Sequence, residues 1–155
     1  MKKRILSAVA LLCMVVCLSG CSNIEWVAQR YEDFTFELPA EWEKSEYSDN
    51  RFSSSSEEVP GYFSINPTST LIYDSEQDSI ASFINASDGT VVEEKDITIA
   101  GTPGYYCEVS YTMEGETFSM YYYVILHQDH YYSFTFGDCS ESIRNHVIQS
   151  IQINE

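Results

Sequence analysis

Apolar side chains occupy every second position from Phe34 to Leu38, and polar side chains separate them. A period of two is typical of a strand with one buried face. Pro39 is expected to end this strand because proline cannot donate a backbone hydrogen bond, and Trp42 is expected to fold back onto the core. Further strands are predicted near residues 51–55, 62–66 and 90–99, and a break is predicted at residues 101–104.

Residues 75–86 change to the spacing of a helix. Ile80, Phe83 and Ile84 fall at i, i+3 and i+4, so they are expected to share one buried face. The candidates for the N-cap of this helix are Asp74 and Ser75.

A second helix is predicted from Ser140 to Ser150. Its apolar residues recur at i, i+4 and i+8, and they are Ile143, Val147 and Ile151. Asp138 and Glu141 have the spacing of a capping box, so Asp138 is expected to cap the helix.

Two tight turns are predicted in the aromatic segment from Tyr105 to Gly137. Glu114-Gly115 has the composition of a two-residue hairpin turn, which pairs Tyr111 with Phe118 and Val109 with Met120. A second turn at Gln128-Asp129 pairs Ile125 with Tyr132 and Tyr123 with Phe134. The shared strand, Thr117–His127, is then apolar on both faces, as a central strand covered from two sides would be. The sequence therefore predicts an α+β fold in which an antiparallel β-sheet is flanked by helices.

Three sequence features resemble PsbP-like domains. They are the segment Phe34-Thr-Phe-Glu-Leu-Pro39 followed by Trp42, the step Gly101-x-Pro103-Gly-Tyr105, and the ending Ser150-Ile151-Gln-Ile153. This family is named after an extrinsic protein of the photosystem II oxygen-evolving complex and also contains many small bacterial lipoproteins. The resemblance implies an α/β/α sandwich over residues 32–155. No metal-binding or partner-binding residue of the photosynthetic member can be matched in this sequence, so none is carried over.

The amino terminus has the order of a secretory signal peptide. Three basic residues, Lys2, Lys3 and Arg4, precede fourteen uncharged residues from Ile5 to Leu18. Fourteen residues span about 21 Å as a helix, which is too short for a hydrocarbon core of about 30 Å.

The segment Leu18-Ser19-Gly20-Cys21 resembles the bacterial lipobox. The resemblance implies cleavage before Cys21 and a thioether-linked diacylglycerol on that cysteine, with palmitate as a typical acyl chain. Two acyl chains suffice for stable membrane anchoring. We therefore expect a signal peptide over residues 1–20, a lipidated Cys21 with its tether over residues 21–31, and a globular domain over residues 32–155. The tether residues Ile24, Trp26 and Val27 are unusually apolar, which leaves open that they pack on the domain.

The protein is expected on the extracytoplasmic face of the cell membrane, with the outer membrane as the alternative in a double-membraned host. Residues 21–155 contain 24 acidic and five basic residues, a formal net charge of −19. Nucleic acid is excluded as a partner because phosphate binding requires clustered Lys and Arg. Such a charge suits a cationic partner or a divalent ion such as Ca²⁺ or Mn²⁺, or it only keeps the protein soluble.

Histidines and carboxylates are the candidate metal ligands of this sequence. His127 and His130 flank a predicted turn, but zinc would require a third ligand from Asp129 or a distant residue, so polar turn residues are the favoured interpretation. Acidic clusters at residues 57–58, 93–96 and 114–116 lack the calcium-loop pattern. No metal site and no cofactor are therefore predicted.

Cys107 and Cys139 are the cysteines that follow Cys21. The predicted strand register separates them along the sheet, so they are expected to remain unbridged unless the chain curls back after Gly137. A set of tyrosines could form an aromatic platform for a glycan or peptide, although burial as ordinary strand residues is favoured. These tyrosines are Tyr106, Tyr121, Tyr123 and Tyr131.

No motif of a nucleophile with its base occurs in the sequence, so we expect no enzyme. The sequence indicates a membrane-anchored binding or scaffold module for another envelope protein or a cell-wall component. Two alternatives remain, an acidic protein that captures cations and, ranked last, an envelope hydrolase in which His146 or His127 meets a serine and a carboxylate.

Overall fold

The computed structural model describes residues 23–154. The predicted signal peptide and the predicted lipid attachment at Cys21 lie outside these residues. The described strands are β1 (Trp26–Tyr31), β2 (Phe34–Pro39), β3 (Glu43–Lys44), β4 (Arg51–Ser54), β5 (Gly61–Ser69), β6 (Thr90–Ile99), β7 (Thr102–Met113), β8 (Glu116–His127), β9 (His130–Gly137) and β10 (Gln152–Ile153). The described helices are α1 (Glu76–Ala86) and α2 (Glu141–Ser150). Neither of them has the length and apolarity needed to cross a bilayer.

A seven-stranded antiparallel sheet forms the centre of the fold, in the order β3-β4-β5-β9-β8-β7-β6. One face packs against α1, where Ile80 and Ile84 contact the layer that contains Val109 and Val124. The other face packs against α2 and a second sheet of order β1-β2-β10. The predicted α+β architecture is confirmed, and the layer that contains α2 is itself part sheet.

Both predicted hairpins have the predicted register. Tyr111 pairs with Phe118 across the first turn, and Ile125 pairs with Tyr132 across the second. At the first turn Glu114 has φ 54° and Gly115 has φ 88°, and two successive positive φ values are what a type I′ hairpin requires. Residues of β8 alternate between the two cores, so this strand is apolar on both faces as predicted.

The fold begins before the predicted boundary at residue 32. Strand β1 pairs with β2 along its whole length, from Trp26 opposite Pro39 to Tyr31 opposite Phe34. Residues 26–31 are therefore part of the domain rather than the tether, because their backbone completes the edge of the small sheet. Ile24 and Trp26 pack against the core, as the alternative interpretation proposed.

Helix α1 has the predicted N-cap at Ser75, whose side chain accepts a hydrogen bond from the Asp78 backbone N–H. The prediction for Phe83 was wrong. Ile80 and Ile84 are buried, but Phe83 is 55% exposed. The helix lies over β7 and β8, and Phe83 falls on the flank of the buried stripe, with its ring edge-on to Tyr122 at a centroid distance of 6.1 Å.

Two further local predictions are corrected by the backbone. The cap of α2 is Ser140, which accepts from the Ile143 N–H, because the helix begins two residues after the position that Asp138 could cap. The predicted break at residues 101–104 is a two-residue turn at Ala100-Gly101. Pro103 lies inside β7, in the part of that strand that pairs with β6 before the pairing with β8 begins at Gly104.

Candidate binding cleft

A cleft of about 350 Å³ opens beside α1 on the face of the large sheet that this helix only partly covers. The helix packs on β7 and β8, whereas β4, β5 and β9 extend beyond it and contribute side chains to the cleft. The volume lies near the lower end of the range of about 300–1,000 Å³ for small-molecule pockets. The cleft is therefore large enough for a small organic ligand.

Hydroxyl and amide side chains form the floor of the cleft. Ser64 of β5 lies opposite Thr135 of β9, and Asn66 lies opposite Ser133 one row further along. Ser64 is 1% exposed and Thr135 is 5% exposed. This alternation of polar residues faces α1, while Phe63, Phe134 and other apolar residues of the same strands face the opposite core.

Hydrogen bonds hold the floor residues in place. The Asn66 Nδ2 donates to Ser64 Oγ at 2.9 Å, and the hydroxyls of Ser133 and Thr135 are 3.1 Å apart. A hydroxyl offers one donor and two acceptor positions, so these contacts leave hydrogen-bonding capacity unused. The floor therefore keeps donor and acceptor positions that the contacts within it do not use.

Aromatic side chains form the walls. Phe83 of α1 and Tyr62 of β5 line the cleft together with Met120 of β8. Gly137 lies between Tyr62 and Met120 in the row that crosses the sheet. A Cβ at Gly137 would come within 2.8 Å of Met120 Sδ, so glycine leaves the space that the Met120 side chain occupies.

Arg51 is the one cationic residue of the lining. It lies on β4 directly opposite Ser64, and its side chain is exposed. Among the residues that the structure describes, no carboxylate lies within ion-pair distance of it. Because only five basic residues follow Cys21, an unpaired guanidinium at a cleft is a distinctive feature of this surface.

The two histidines of the predicted turn lie at the ends of β8 and β9. His127 and His130 lie opposite each other, and His127 Nε2 is 3.3 Å from Asp33 Oδ2. Gln128 Nε2 donates to the same oxygen at 3.1 Å. These contacts hold the β8–β9 turn against the β1–β2 turn. Within residues 23–154, no three His, Cys, Asp or Glu side chains are grouped as metal ligands would be.

The acidic cluster on β6 is also engaged in local contacts. Glu93 Oε1 is 2.7 Å from Lys95 Nζ, and Glu94 Oε2 accepts a hydrogen bond from the Tyr105 hydroxyl at 2.5 Å. These carboxylates are exposed along an edge strand. They are therefore solvated surface groups.

Cys107 and Cys139 are both free thiols, which confirms that they are unbridged. Cys107 belongs to the core under α1, and Cys139 packs against the opposite core, so the sheet separates them. Burial raises the pKa of both thiols, that of Cys139 to about 11.

The tyrosine platform is absent from the described residues because the rings divide between the two faces. Tyr106 and Tyr123 are buried in the core on the α2 side, and Tyr131 is buried on the α1 side. Tyr121 is covered by the guanidinium of Arg144. Burial as strand residues, the favoured interpretation, is confirmed.

Sequence reasoning did not find the cleft. Its floor residues Ser64, Asn66 and Thr68 alternate along β5 with apolar residues, which is the pattern of any strand with one solvated face. The available indication was the hydroxyl-rich alternation at Ser133 and Thr135 in an otherwise aromatic strand. That pattern gains meaning only when β5 and β9 are known to be neighbours.

No family model matches this chain, and no curated protein matches it. Among solved structures, the chain is similar to cyanobacterial PsbP from Synechocystis, with a TM-score of 0.60, 13% identity, and coverage of 88% of this chain and 95% of that one. It is also similar to LpqN of Mycobacterium tuberculosis, described as involved in cell envelope biogenesis, with a TM-score of 0.54, 12% identity, and coverage of 86% and 93%.

A protein of Bacteroides thetaiotaomicron gives a TM-score of 0.56 at 14% identity. The match covers 84% of this chain and 48% of that protein, so this chain spans about half of its length. At such identities the similarity concerns the fold alone. The fold is PsbP-like, as the sequence resemblance implied.

Proposed function

We propose that this protein is a lipid-anchored binding module of the bacterial cell envelope, attached through Cys21 and acting without catalysis. The cleft beside α1 is the observation on which the binding role depends. It is preformed, its floor is polar, and its walls are aromatic, which is the usual composition of a small-molecule site.

The envelope location is supported by the amino-terminal sequence, in which basic residues, an apolar segment and the lipobox-like Leu18-Ser19-Gly20-Cys21 follow in order. The similarity to LpqN, a protein described as involved in cell envelope biogenesis, agrees with it. Four residues separate Cys21 from the start of β1 at Trp26, and the five backbone steps between Cys21 and Trp26 can span at most about 18 Å. A domain tethered so closely would face its immediate surroundings at the membrane surface.

A non-catalytic role is supported by the chemistry of the cleft. Its described lining contains serine, threonine, asparagine, tyrosine and one arginine, together with apolar residues. The two histidines that could have served a hydrolase are engaged elsewhere, His127 with Asp33 and His146 with Glu37 and Trp26. A serine of the floor has no base beside it, and general-base activation is what a serine nucleophile requires.

The test is capture of an envelope component by the full-length, lipidated protein in intact cells, with crosslinking followed by purification. Phe83→Ala removes a wall of the cleft, and Phe118→Ala is the matched control because Phe118 is an exposed phenylalanine outside the cleft. We expect a component that the wild type and Phe118→Ala capture and Phe83→Ala loses. Capture of nothing by the wild type, or equal capture by Phe83→Ala, would contradict the proposal.

A further inference from the structure

We infer that the cleft beside α1 binds a saccharide that carries a carboxylate group. This inference rests on the proposed binding function and specifies the chemical class of its ligand. Three independent features of the cleft support it, which are its hydroxyl-rich floor, its aromatic walls and its single guanidinium.

The floor matches the hydrogen-bonding groups of a sugar. A saccharide presents many hydroxyls, each of which donates one hydrogen bond and accepts others, and Ser64, Thr135, Ser133 and Asn66 offer the same mixed capacity. Under α1, by contrast, residues on the same face of the sheet are apolar, such as Val109 and Val124. The α1-facing side of the large sheet thus changes from mainly apolar residues beneath the helix to serine, threonine and asparagine residues in the cleft beside it.

The walls match the apolar faces of a sugar ring. Phe83 is an aromatic side chain that stays 55% exposed, and Tyr62 is a second aromatic residue of the lining. The face of an aromatic ring carries partial negative charge and therefore attracts the C–H groups of a pyranose ring. A sugar stacked on Phe83 would cover this exposed ring and reach the polar floor at the same time.

The charge distribution selects an acidic sugar and orients it. Arg51 lies at the β4 side without a carboxylate partner among the described residues, and a guanidinium binds a carboxylate through two parallel hydrogen bonds. At the end formed by Tyr131, desolvation and the negative charges of Glu76, Asp74 and Asp78 raise the pKa of that tyrosine. The carboxylate of the ligand would therefore lie at Arg51, and its uncharged hydroxyls would lie toward Tyr131.

The test is isothermal titration of the full-length protein in detergent with two matched pairs of sugars. Glucuronic acid and glucose differ in one carboxylate, as do N-acetylmuramic acid and N-acetylglucosamine. We expect the acidic member of at least one pair to bind about tenfold more tightly than its neutral partner, because a charged hydrogen bond is stronger than a neutral one.

Two substitutions at exposed positions locate the site without disturbing the core. Arg51→Met is expected to abolish the preference for the acidic sugar, and Arg30→Met is the matched control because Arg30 is an exposed arginine on β1, in the other layer. Phe83→Ala is expected to weaken binding of both members of a pair. Preservation of the preference in Arg51→Met, or its loss in Arg30→Met, would overturn the inference.

The outcomes also separate this inference from the proposed function. If no saccharide binds but capture of an envelope component still depends on Phe83, the inferred saccharide ligand is wrong and the proposed binding function stands. Equal binding of acidic and neutral sugars would overturn the role of Arg51. Absence of both saccharide binding and capture would overturn both proposals.

Discussion

The guanidinium of Arg144 lies over the ring of Tyr121, with 3.5 Å between its central carbon and the ring centroid. Arg144 is 8% exposed, and no carboxylate forms an ion pair with it among residues 23–154. Its Nη1 donates to the Cys139 carbonyl at 2.8 Å, whereas its Nε has no partner. A buried cation is thus stabilised by an aromatic face and a carbonyl, and it joins α2 to the large sheet.

This arrangement predicts that Arg144→Lys destabilises the protein more than Arg144→Met. Lysine keeps the buried charge, but its ammonium group is not planar and cannot stack on Tyr121 while it also reaches the Cys139 carbonyl. We expect this loss to lower the free energy of unfolding by about 2 kcal/mol. Methionine fills similar space and loses the hydrogen bond to the Cys139 carbonyl, but it leaves no buried charge without its partners. Denaturant titration of the three proteins measures the order, and a more stable lysine variant would contradict it.

The position of the Trp42 side chain predicts that replacing Gly61 lowers the stability of the protein. Its indole Nε1 donates to the Val59 carbonyl at 3.1 Å, and its ring occupies the space where a Cβ of Gly61 would lie, with Cys139 Cβ only 2.9 Å from the same position. Gly61→Ala must displace this buried ring, which should lower the free energy of unfolding by about 2 kcal/mol.

The matched control for this prediction is Gly115→Asn. Nothing lies within 4 Å of a Cβ at Gly115, and asparagine tolerates its φ of 88° better than other residues do. We expect the control to cost less than about 1 kcal/mol. Equal decreases in melting temperature for Gly61→Ala and Gly115→Asn would contradict the prediction, because they would show that the Trp42 ring can move aside without a loss of stability.

Buried thiol and phenol groups predict a loss of stability in alkali. Burial raises the pKa of Cys139 from 9.0 to about 11. For Tyr132, burial and its hydrogen bond to Glu32 raise the pKa above the usual 10.0. The folded protein keeps these protons at a pH at which the unfolded chain releases them, so the free energy of unfolding falls as pH rises above about 9.

Denaturant titration at several pH values checks this slope, and Cys139→Ala should reduce it between pH 9 and 11. An unfolding midpoint that does not change over this range would contradict the prediction. The same preparations show whether the raised pKa also slows alkylation of Cys139, since the thiolate is the reactive form.

The proposed anchor predicts that labelled palmitate enters the wild-type protein and not Cys21→Ala. The variant should also leave the membrane fraction, because the residues that follow Cys21 have a net charge of −19 and would be repelled by anionic lipids. Gel fluorography and fractionation measure both effects. Comparable labelling of the two proteins, or recovery of an unprocessed, unlipidated wild type from the cytosol, would refute the anchor.

The composition of the turns and the alternation of apolar residues were sufficient to predict the hairpins and the central strand from the sequence. The turns at Glu114-Gly115 and Gln128-Asp129 set the register, and the alternation along Thr117–His127 set which residues enter each core. Both conclusions depend on residues that are close in sequence. A shift of one position in the strand register would turn every side chain to the opposite face of the sheet, so the apolar pattern allows one register.

The predictions that failed required knowledge of distant neighbours. Trp26–Tyr31 became a strand because the edge of β2 was available to pair with it, and its own sequence shows little alternation. Phe83 has the spacing of a core residue, but α1 is placed so that this ring overhangs the sheet. Helical periodicity identifies the apolar face of α1, but it does not show how much of that face the sheet covers.

Sequence patterns predicted the two helices, the long strands of the large sheet, the register of the hairpins and the acidic charge, because each depends on nearby residues or on simple counts. The three-dimensional fold was needed to show that β5 lies beside β9 and that α1 packs mainly on β7 and β8. Ser64 and Thr135 are far apart in the sequence, and they meet only because β5 pairs with β9. A cleft formed by such contacts has no local pattern from which it could be predicted.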